Sequence, residues 1–185
     1  MSDPAAQTYR WSRDVYDRAV EAGVFRPEDR IELIEGELVM MTPHGSRHAT
    51  AIRLVNRALS DAFGDGYIVQ CQLPLAIAAD SEPEPDVAVV EGAIADYRDA
   101  HPSSALLVVE VADDSLRRDR SVKRRLYARR GIPECWIVAL PDAALEVYRD
   151  PSGDDFRDVA VLRSGDTVRP LAAPAAAIAV ADLLP

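Results

Sequence analysis

The chain has 185 residues, 48% of them hydrophobic and 28% charged, and a formal net charge of -10 at pH 7. This length supports one domain with a substantial core, and the composition excludes a disordered chain. The acidic balance argues against a surface that binds nucleic acid throughout, because phosphate-binding surfaces are basic. No apolar run is long enough for a membrane span, and the polar first residues lack the apolar core of a signal peptide. We therefore expect a cytoplasmic protein, in which Cys71 and Cys135 are buried thiols without a disulfide.

The first part of the chain predicts a helix followed by extended structure. Ser12 is a good N-cap for the amphipathic segment RDVYDRAVEA, which ends at Gly23. Residues 31–41, IELIEGELVMM, predict a strand pair or a bent strand around Gly36.

The next segment predicts a longer helix and an interrupted strand. Apolar residues at helical spacing predict a helix over residues 47–63, which Gly64 ends. Residues 67–77 predict a strand that Pro74 interrupts, and the proline- and glutamate-rich loop DSEPEP follows.

The second half of the chain predicts three buried strands around one basic helix. These elements are, in chain order, strand 86–91, strand 106–112, helix 119–130 and strand 134–140. The segments LEVYRD, FRDVAVLRS and TVRPL then predict a short antiparallel meander. The order of elements indicates a single mixed α/β domain over residues 1–185, with its core at about 31–140.

Two acidic residues stand out because they lie on predicted strands. Asp86 begins one strand, and Glu110 interrupts the otherwise apolar run LLVVEVA. A lone buried carboxylate is costly, so chains keep one where something compensates its charge. If the two strands are neighbours, the carboxylates converge in the oxygen-rich arrangement that Mg²⁺ favours. The alternative is a glutamate paired with an arginine of the next helix, and the two acids alone leave both interpretations open.

The segment RRDRSVKRRLYARR, residues 117–130, contains Lys123, the only lysine of the chain. This segment holds eight of the 21 cationic side chains and one acid. The short turn after Glu110 keeps the helix start close to that strand, so Lys123 can face the site of Asp86 and Glu110. Lysine is a compact point charge that can orient or deprotonate water, whereas arginine cannot serve as a base. The alternative is that an arginine-rich chain contains one lysine by chance.

Longer stretches of the chain resemble the Uma-type restriction endonucleases, a bacterial branch of the PD-(D/E)XK nuclease superfamily. The matching stretches run in the family's order over most of the chain: WSRDVYDRAVEAGVF, RIELIEGELVMMTPHGSRHA, QCQLPLAI, SEPEPDVAVV, LLVVEVADDSLRRDRSVKRRLYARRGIPECWIV and LEVYRDP. The string from Glu110 to Val138 is the most specific of them. The resemblance implies an αβββαβ core and hydrolysis of phosphodiesters that depends on Mg²⁺, with Mn²⁺ as a substitute.

The resemblance also implies the residues that carry the chemistry. Asp86 would be the first metal ligand and Glu110 the second, with the backbone carbonyl of Val111 as a further ligand. The superfamily's lysine stands two residues after the glutamate, where this chain has Ala112. In this family the lysine lies on the following helix, so the resemblance assigns the role to Lys123.

The resemblance implies that further residues complete the pocket: Glu37 with Glu35 beside it, His48, Gln72 and Tyr127. His44 and His48 have i, i+4 spacing, which is typical of a zinc site on a helix. Pro43 and Gly45 place His44 outside the predicted helix, however, and this argues against such a site.

These observations predict a metal-dependent phosphodiester hydrolase that acts as a DNA endonuclease. The flanking phosphates would be held by five arginines: Arg117, Arg118, Arg120, Arg124 and Arg125. A homodimer is expected because nucleases of this type often cut two strands with two subunits. Two alternatives stay open: a catalytically inactive module that binds nucleic acid or protein, and an enzyme that hydrolyses another phosphoester or a nucleotide.

Overall fold

The computed structural model describes residues 8–26, 28–41, 43–113 and 119–185, apart from the side chains of residues 119 and 120. A six-stranded sheet forms the centre of the fold, and its strands lie side by side in chain order. They are β3 (Tyr67–Gln70), β4 (Val87–Glu91), β5 (Leu107–Ala112), β6 (Glu134–Ala139), β7 (Ala144–Ser152) and β8 (Asp155–Arg163). Every neighbouring pair is antiparallel except β5 and β6, which are parallel.

The helices and two small hairpins surround this sheet. They are α1 (Arg13–Glu21), β1 (Ile31–Ile34) with β2 (Glu37–Met40), α2 (Ser46–Phe63), α3 (Arg124–Arg129), and β9 (Thr167–Val168) with β10 (Ile178–Ala179). Because parallel strands need a crossover, α3 lies in the connection between β5 and β6. The elements α2, β3, β4, β5, α3 and β6 follow one another in the order of the predicted αβββαβ core. No helix in the described part of the chain is both long and apolar enough to cross a bilayer.

The core has two layers, one on each face of the sheet. Helix α2 buries Val55 and Leu59 against one face, where they join Val87 and Val109. On the other face, Tyr127 of α3 packs against the intervening residues of the same strands, such as Val108. This alternation follows from the two-residue period of a strand. Both faces of the central strands are therefore covered, so a charged side chain there needs a specific partner.

Most element boundaries match their prediction. The predicted meander ends after β8, because the strand in TVRPL, β9, pairs with β10 in a separate hairpin. Two boundaries also differ. The strand predicted over residues 67–77 stops at Gln70, because Pro74 cannot donate to a ladder and Gln72 adopts a positive φ of 52°. The helix predicted over residues 119–130 starts as a π-helical turn, Asp119–Lys123, before α3. Cys71 and Cys135 are both free thiols, as predicted, but only Cys135 is buried. Cys71 is half-buried, because it follows β3 at the point where the strand has ended.

A buried glutamate fastens the end of the chain to the sheet. Glu134 is fully buried, and its Oε1 accepts hydrogen bonds from Trp136 Nε1 at 2.9 Å and from Arg149 Nη2 at 2.7 Å. Its Oε2 accepts a 2.7 Å bond from the backbone N–H of Leu171. The carboxylate thus compensates the positive charge of Arg149 and positions the segment after β8.

Replacing Glu134 with Ala is expected to lower the free energy of unfolding by about 3 kcal/mol, because it leaves the Arg149 charge and two N–H donors uncompensated. Urea denaturation measures this change. Glu37→Ala, at an exposed glutamate paired with Arg10, serves as the control and should stay within about 0.5 kcal/mol of wild type. Equal losses in the two variants would contradict the role of Glu134.

Candidate functional site

A pocket of about 310 Å³ opens at one end of the central strands. It lies where the hairpin β1–β2, the start of α2, the residue before β4, the end of β5 and the residue before α3 come together. Its polar lining consists of Glu32, His44, His48, Glu84, Asp86, Glu110, Asp113 and Lys123. Both acids that the sequence singled out on strands, Asp86 and Glu110, therefore lie in one place with Lys123, the only lysine of the chain.

The strand register brings Asp86 and Glu110 together. Strands β4 and β5 are antiparallel, with Val87 opposite Val109. One step further along the same register, Asp86 stands opposite Glu110. Asp86 lies just outside the ladder, and its Oδ2 accepts a 2.8 Å hydrogen bond from the backbone N–H of Val111. The side chain therefore takes the place of a backbone acceptor at the end of the strand pair.

Lys123 joins two glutamates within this pocket. Its Nζ lies 3.1 Å from Glu32 Oε2 and 3.3 Å from Glu110 Oε1. All three residues are buried, with 9% or less of each exposed. Since a buried carboxylate requires compensation, the ammonium group accounts for the glutamates on both β1 and β5.

Tyr127 supports Glu110 from the next turn of the chain. Its hydroxyl donates a 2.6 Å hydrogen bond to Glu110 Oε1. Burial, and then the charge of Glu110, raise the pKa of Tyr127 well above its ordinary value, so the phenol stays protonated and remains a donor. Tyr127 lies behind the carboxylate and does not line the pocket.

Asp86 is ionised although it is buried. Burial by itself raises the pKa of Asp86, but the hydrogen bond and charge of His48, the N–H of Val111 and the charge of Lys123 together lower it below its ordinary value. His48 Nε2 lies 3.1 Å from Asp86 Oδ1. The pocket thus presents a carboxylate whose two oxygens have different partners, one in the backbone and one in helix α2.

The predicted position of His44 is confirmed, since α2 begins at Ser46 and His44 precedes it. The loop nevertheless stacks the His44 ring on that of His48, with their centroids 4.0 Å apart. Burial, and then the neighbouring His48, lower the pKa of His44, which favours its neutral ring. The Gln72 amide nitrogen lies 2.6 Å from His44 Nε2 and 3.4 Å from Asp86 Oδ1. Lying outside the helix therefore does not separate the two histidines, contrary to the argument made from the sequence.

The acid that the hairpin contributes is Glu32, which the sequence analysis did not single out. Glu35 instead forms an ion pair with Arg129, and Glu37 is exposed and lies 3.3 Å from Arg10. Neither lines the pocket. Glu32 could have been found by the reasoning that identified Glu110, since it too interrupts an apolar strand, IELI.

The basic segment is only partly described. Arg117 and Arg118 lie outside the described residues, as does the side chain of Arg120. The Arg124 guanidinium is 3.3 Å from Asp155 and lies over the Tyr148 ring, whereas Arg125 bonds to the carbonyl of Ser121. Neither Arg124 nor Arg125 lines the pocket. Phosphate binding by the five predicted arginines stays a prediction.

The αβββαβ core, with buried acids gathered at the ends of two of its strands, defines a restriction-endonuclease-like fold. Its chain trace resembles the crystal structure of a protein from Anabaena variabilis ATCC 29413, described as "a putative nuclease belonging to DUF820". The two share 16% sequence identity with a TM-score of 0.75, over 94% of this chain and 97% of that one. No curated protein matches this chain.

The sequence model of the Uma2 family, described as "Putative restriction endonuclease", matches residues 14–181. The chain therefore belongs to the Uma2 family. The resemblance and the fold class predicted from the sequence are both confirmed.

Glu82, in the segment between β3 and β4, links stability to pH. Burial, and then the charge of Asp17, raise its pKa from 4.5 to about 7. The folded state therefore keeps a proton that the unfolded chain has already lost. The resulting stabilisation is complete below pH 4.5 and disappears as the pH rises through about 7.

Replacing Glu82 with Gln removes this titration, so the variant should lose less stability than wild type between about pH 4.5 and 7. Thermal unfolding across this range measures the difference. The exposed Glu21→Gln is the control and should follow wild type. An E82Q profile parallel to that of wild type would show that Glu82 is not the source of the pH dependence.

Proposed function

We propose that this protein is a metal-dependent phosphodiester hydrolase that cleaves DNA. The observation that carries the proposal is the position of Lys123, whose ammonium contacts Glu110 in the pocket that Asp86 also lines. An acid at the end of each of two paired strands and one lysine are the chemical groups that the family resemblance requires. Membership of the Uma2 family supports the same class of reaction.

The pocket residues fit a divalent cation. Among the described side chains, the carboxylates of Glu32, Asp86 and Glu110 outnumber the single ammonium of Lys123. Oxygen donors from Asp86 and Glu110, with the carbonyl of Val111 as the proposed third, suit Mg²⁺ or Mn²⁺. Such an ion would polarise the phosphate and acidify a bound water.

The chain's own residues have separate tasks in this proposal. The backbone N–H of Val111 fixes Asp86 Oδ2, which leaves Oδ1 directed towards the histidines. Tyr127 holds Glu110, and Glu32 holds Lys123 from the other side. The carboxylates of Glu32 and Glu110 lie on either side of the Lys123 side chain. We therefore assign Lys123 the orientation of the attacking water and the compensation of negative charge that develops on the phosphate.

A module that binds without cleaving is the second candidate. The net charge of -10 and the engagement of Arg124 by Asp155 favour it, because both reduce the surface available to phosphates. The two candidates differ in how they depend on the acids. A hydrolase needs Asp86 and Glu110 for turnover, whereas a binding module does not. The homodimer and the cytoplasmic location stay predictions.

Incubating the protein with plasmid, linear duplex and single-stranded DNA in Mg²⁺ or Mn²⁺ tests the proposal. Wild type should cleave, and Lys123→Ala should lose at least about 100-fold in rate, because the group that orients water and offsets charge is gone. Lys123→Arg keeps the charge without the compact amine and is expected to be similarly impaired. Gel electrophoresis measures the products.

Arg26→Ala, at an exposed arginine distant in sequence from the site residues, is the matched control and should cleave as wild type does. Thermal unfolding shows whether the Lys123 variants keep their fold. Normal cleavage by folded Lys123→Ala would exclude this assignment. DNA binding without cleavage by wild type in either metal would instead favour the binding module.

A further inference from the structure

The pocket contains a second group of metal-binding atoms that is distinct from the predicted Asp86 and Glu110 pair. His44, His48 and Asp86 each offer one ligand atom, and these three atoms all lie within 4.8 Å of one another. Two of these atoms, His48 Nε2 and Asp86 Oδ1, are already 3.1 Å apart. Ligands around a tetrahedral ion at 2.0–2.1 Å are separated by about 3.3 Å, so this pair needs little movement to coordinate one.

Gln72 completes the group. Its side-chain amide faces both His44 Nε2 and Asp86 Oδ1, at 2.6 and 3.4 Å. The backbone holds this side chain in place, because Gln72 has a positive φ of 52° and its N–H bonds to the carbonyls of Pro85 and Asp86. A non-glycine residue in this conformation is strained, and such strain concentrates at binding sites. Rotating the amide by 180° would present its oxygen as a fourth ligand.

The carboxylates on the two sides of the pocket contact different groups. On the Glu110 side, the lysine ammonium lies between two carboxylates, and a phenol bonds to one of them. On the histidine side, Asp86 Oδ1 faces imidazole and amide groups. Imidazole is a good ligand for the later transition metals such as zinc, whereas Mg²⁺ prefers oxygen ligands and gives up its waters reluctantly.

We propose that His44, His48 and Asp86, with the side-chain amide of Gln72, form a separate site for a transition-metal ion such as Zn²⁺ or Co²⁺. The site shares Asp86 with the proposed catalytic pocket but does not include Glu110. It gives the protein a preference for these ions over Mg²⁺. The inference goes beyond the proposed function, and its test does not require DNA cleavage.

Titration with Co²⁺, followed by visible absorption and calorimetry, tests the site. Wild type should bind Co²⁺ more tightly than Mg²⁺ and show the absorption of a nitrogen-ligated ion. His44→Ala should weaken Co²⁺ binding by at least about tenfold, whereas Glu110→Gln should change it by less than about threefold. His101→Ala, at the remaining and exposed histidine of the chain, should bind as wild type does.

His44 is only partly buried, so its replacement leaves the core intact, and thermal unfolding checks this. Unchanged Co²⁺ binding in His44→Ala would overturn the proposal. Equal weakening by His44→Ala and Glu110→Gln would also overturn it, because one ion bound by both residues would then explain the data. The two proposals fail separately: Lys123→Ala should keep Co²⁺ binding even where it loses DNA cleavage.

A second inference concerns the edge strand β8 and its association with a second copy of the chain. In the described part of the chain, β8 (nine residues) pairs only with β7, so no strand covers its other edge. Val159 and Val161 are 50% and 57% exposed and share a face of the strand. A long edge with exposed valines readily pairs with another strand.

The charges of β8 select one way of pairing with a second copy. A two-fold axis normal to the sheet leaves each side chain on the same face of the sheet in both copies. Residues directly opposite each other in an antiparallel pair also share a face, so they must be an even number of positions apart in the sequence. The axis therefore passes between one residue and the same residue of the second copy. Among the registers centred on residues 157–161, only the one on Val159 opposes unlike charges, Asp155 against Arg163 of the second copy. Centring on Ala160 would instead oppose Arg157 to Arg163.

The geometry points to a homodimer in which β8 pairs with β8 of a second copy, centred on Val159. The two sheets then form one continuous sheet, with valines at its middle and an ion pair at each end of the new strand pair. The inference is independent of the metal site and gives the predicted homodimer a definite surface.

Sedimentation velocity over a range of protein concentrations tests the dimer. Wild type should dimerise, and Val159→Lys should weaken association by at least about tenfold because it opposes two ammonium groups at the axis. Val24→Lys, at an exposed valine elsewhere, should leave association unchanged. Arg163→Asp should weaken the dimer, and the double exchange Asp155→Arg with Arg163→Asp should restore it.

Asp155 also contacts Arg124 of its own chain, and this contact stays broken in the double exchange. Restored association in that variant would therefore come from pairing between the two copies and not from the internal contact. A wild type that sediments as a monomer at every concentration would overturn the inference. A dimer that Val159→Lys leaves intact would overturn it as well.

Discussion

The ammonium group of Lys123, held between Glu32 and Glu110, is the interaction around which this end of the molecule is organised. The three charges are buried, and removing any one would leave the others uncompensated at a cost of several kcal/mol. The interaction joins three segments that are distant in the chain: the hairpin β1–β2, the central strand β5 and the turn before α3. Each must be placed correctly for the charges to balance, so the pocket and the fold depend on each other.

The same constraint also decides how Asp86 is oriented in the pocket. Strands β4 and β5 place two acids opposite each other, but Asp86 lies just beyond the ladder and bonds to a backbone N–H. Its second oxygen therefore faces the start of helix α2, where His48 and the loop residue His44 are stacked. One carboxylate thus connects a lysine-centred group of acids with a group that contains imidazoles. The two halves therefore differ in their ligand atoms, which are carboxylate oxygens on one side and imidazole nitrogens with a carboxylate oxygen on the other.

The sequence predicted the elements of the core well because hydrophobic periodicity and glycine or proline breaks are local signals. It predicted less well where backbone conformation departs from regular structure, as in the π-helical turn before α3 and the left-handed Gln72. It placed the acid of the hairpin at Glu37 or Glu35, whereas Glu32 faces the pocket. The difference arises because strand pairing and the orientation of the hairpin decide which of several glutamates points inward. The pairing of Arg124 with Asp155 across the fold could not be inferred for a similar reason.

The sequence by itself determined the class of the protein, its αβββαβ order, and the identities of Asp86, Glu110 and Lys123 as unusual residues in their local settings. A charged side chain in an apolar strand, or a single lysine among arginines, is visible without coordinates. Only the tertiary structure decided what surrounds them: that Glu32 shares the lysine, that Tyr127 bonds to Glu110, and that His44 and His48 meet Asp86. These contacts join residues up to 91 positions apart, Glu32 and Lys123, and their formation depends on how the hairpin and helices are placed on the sheet.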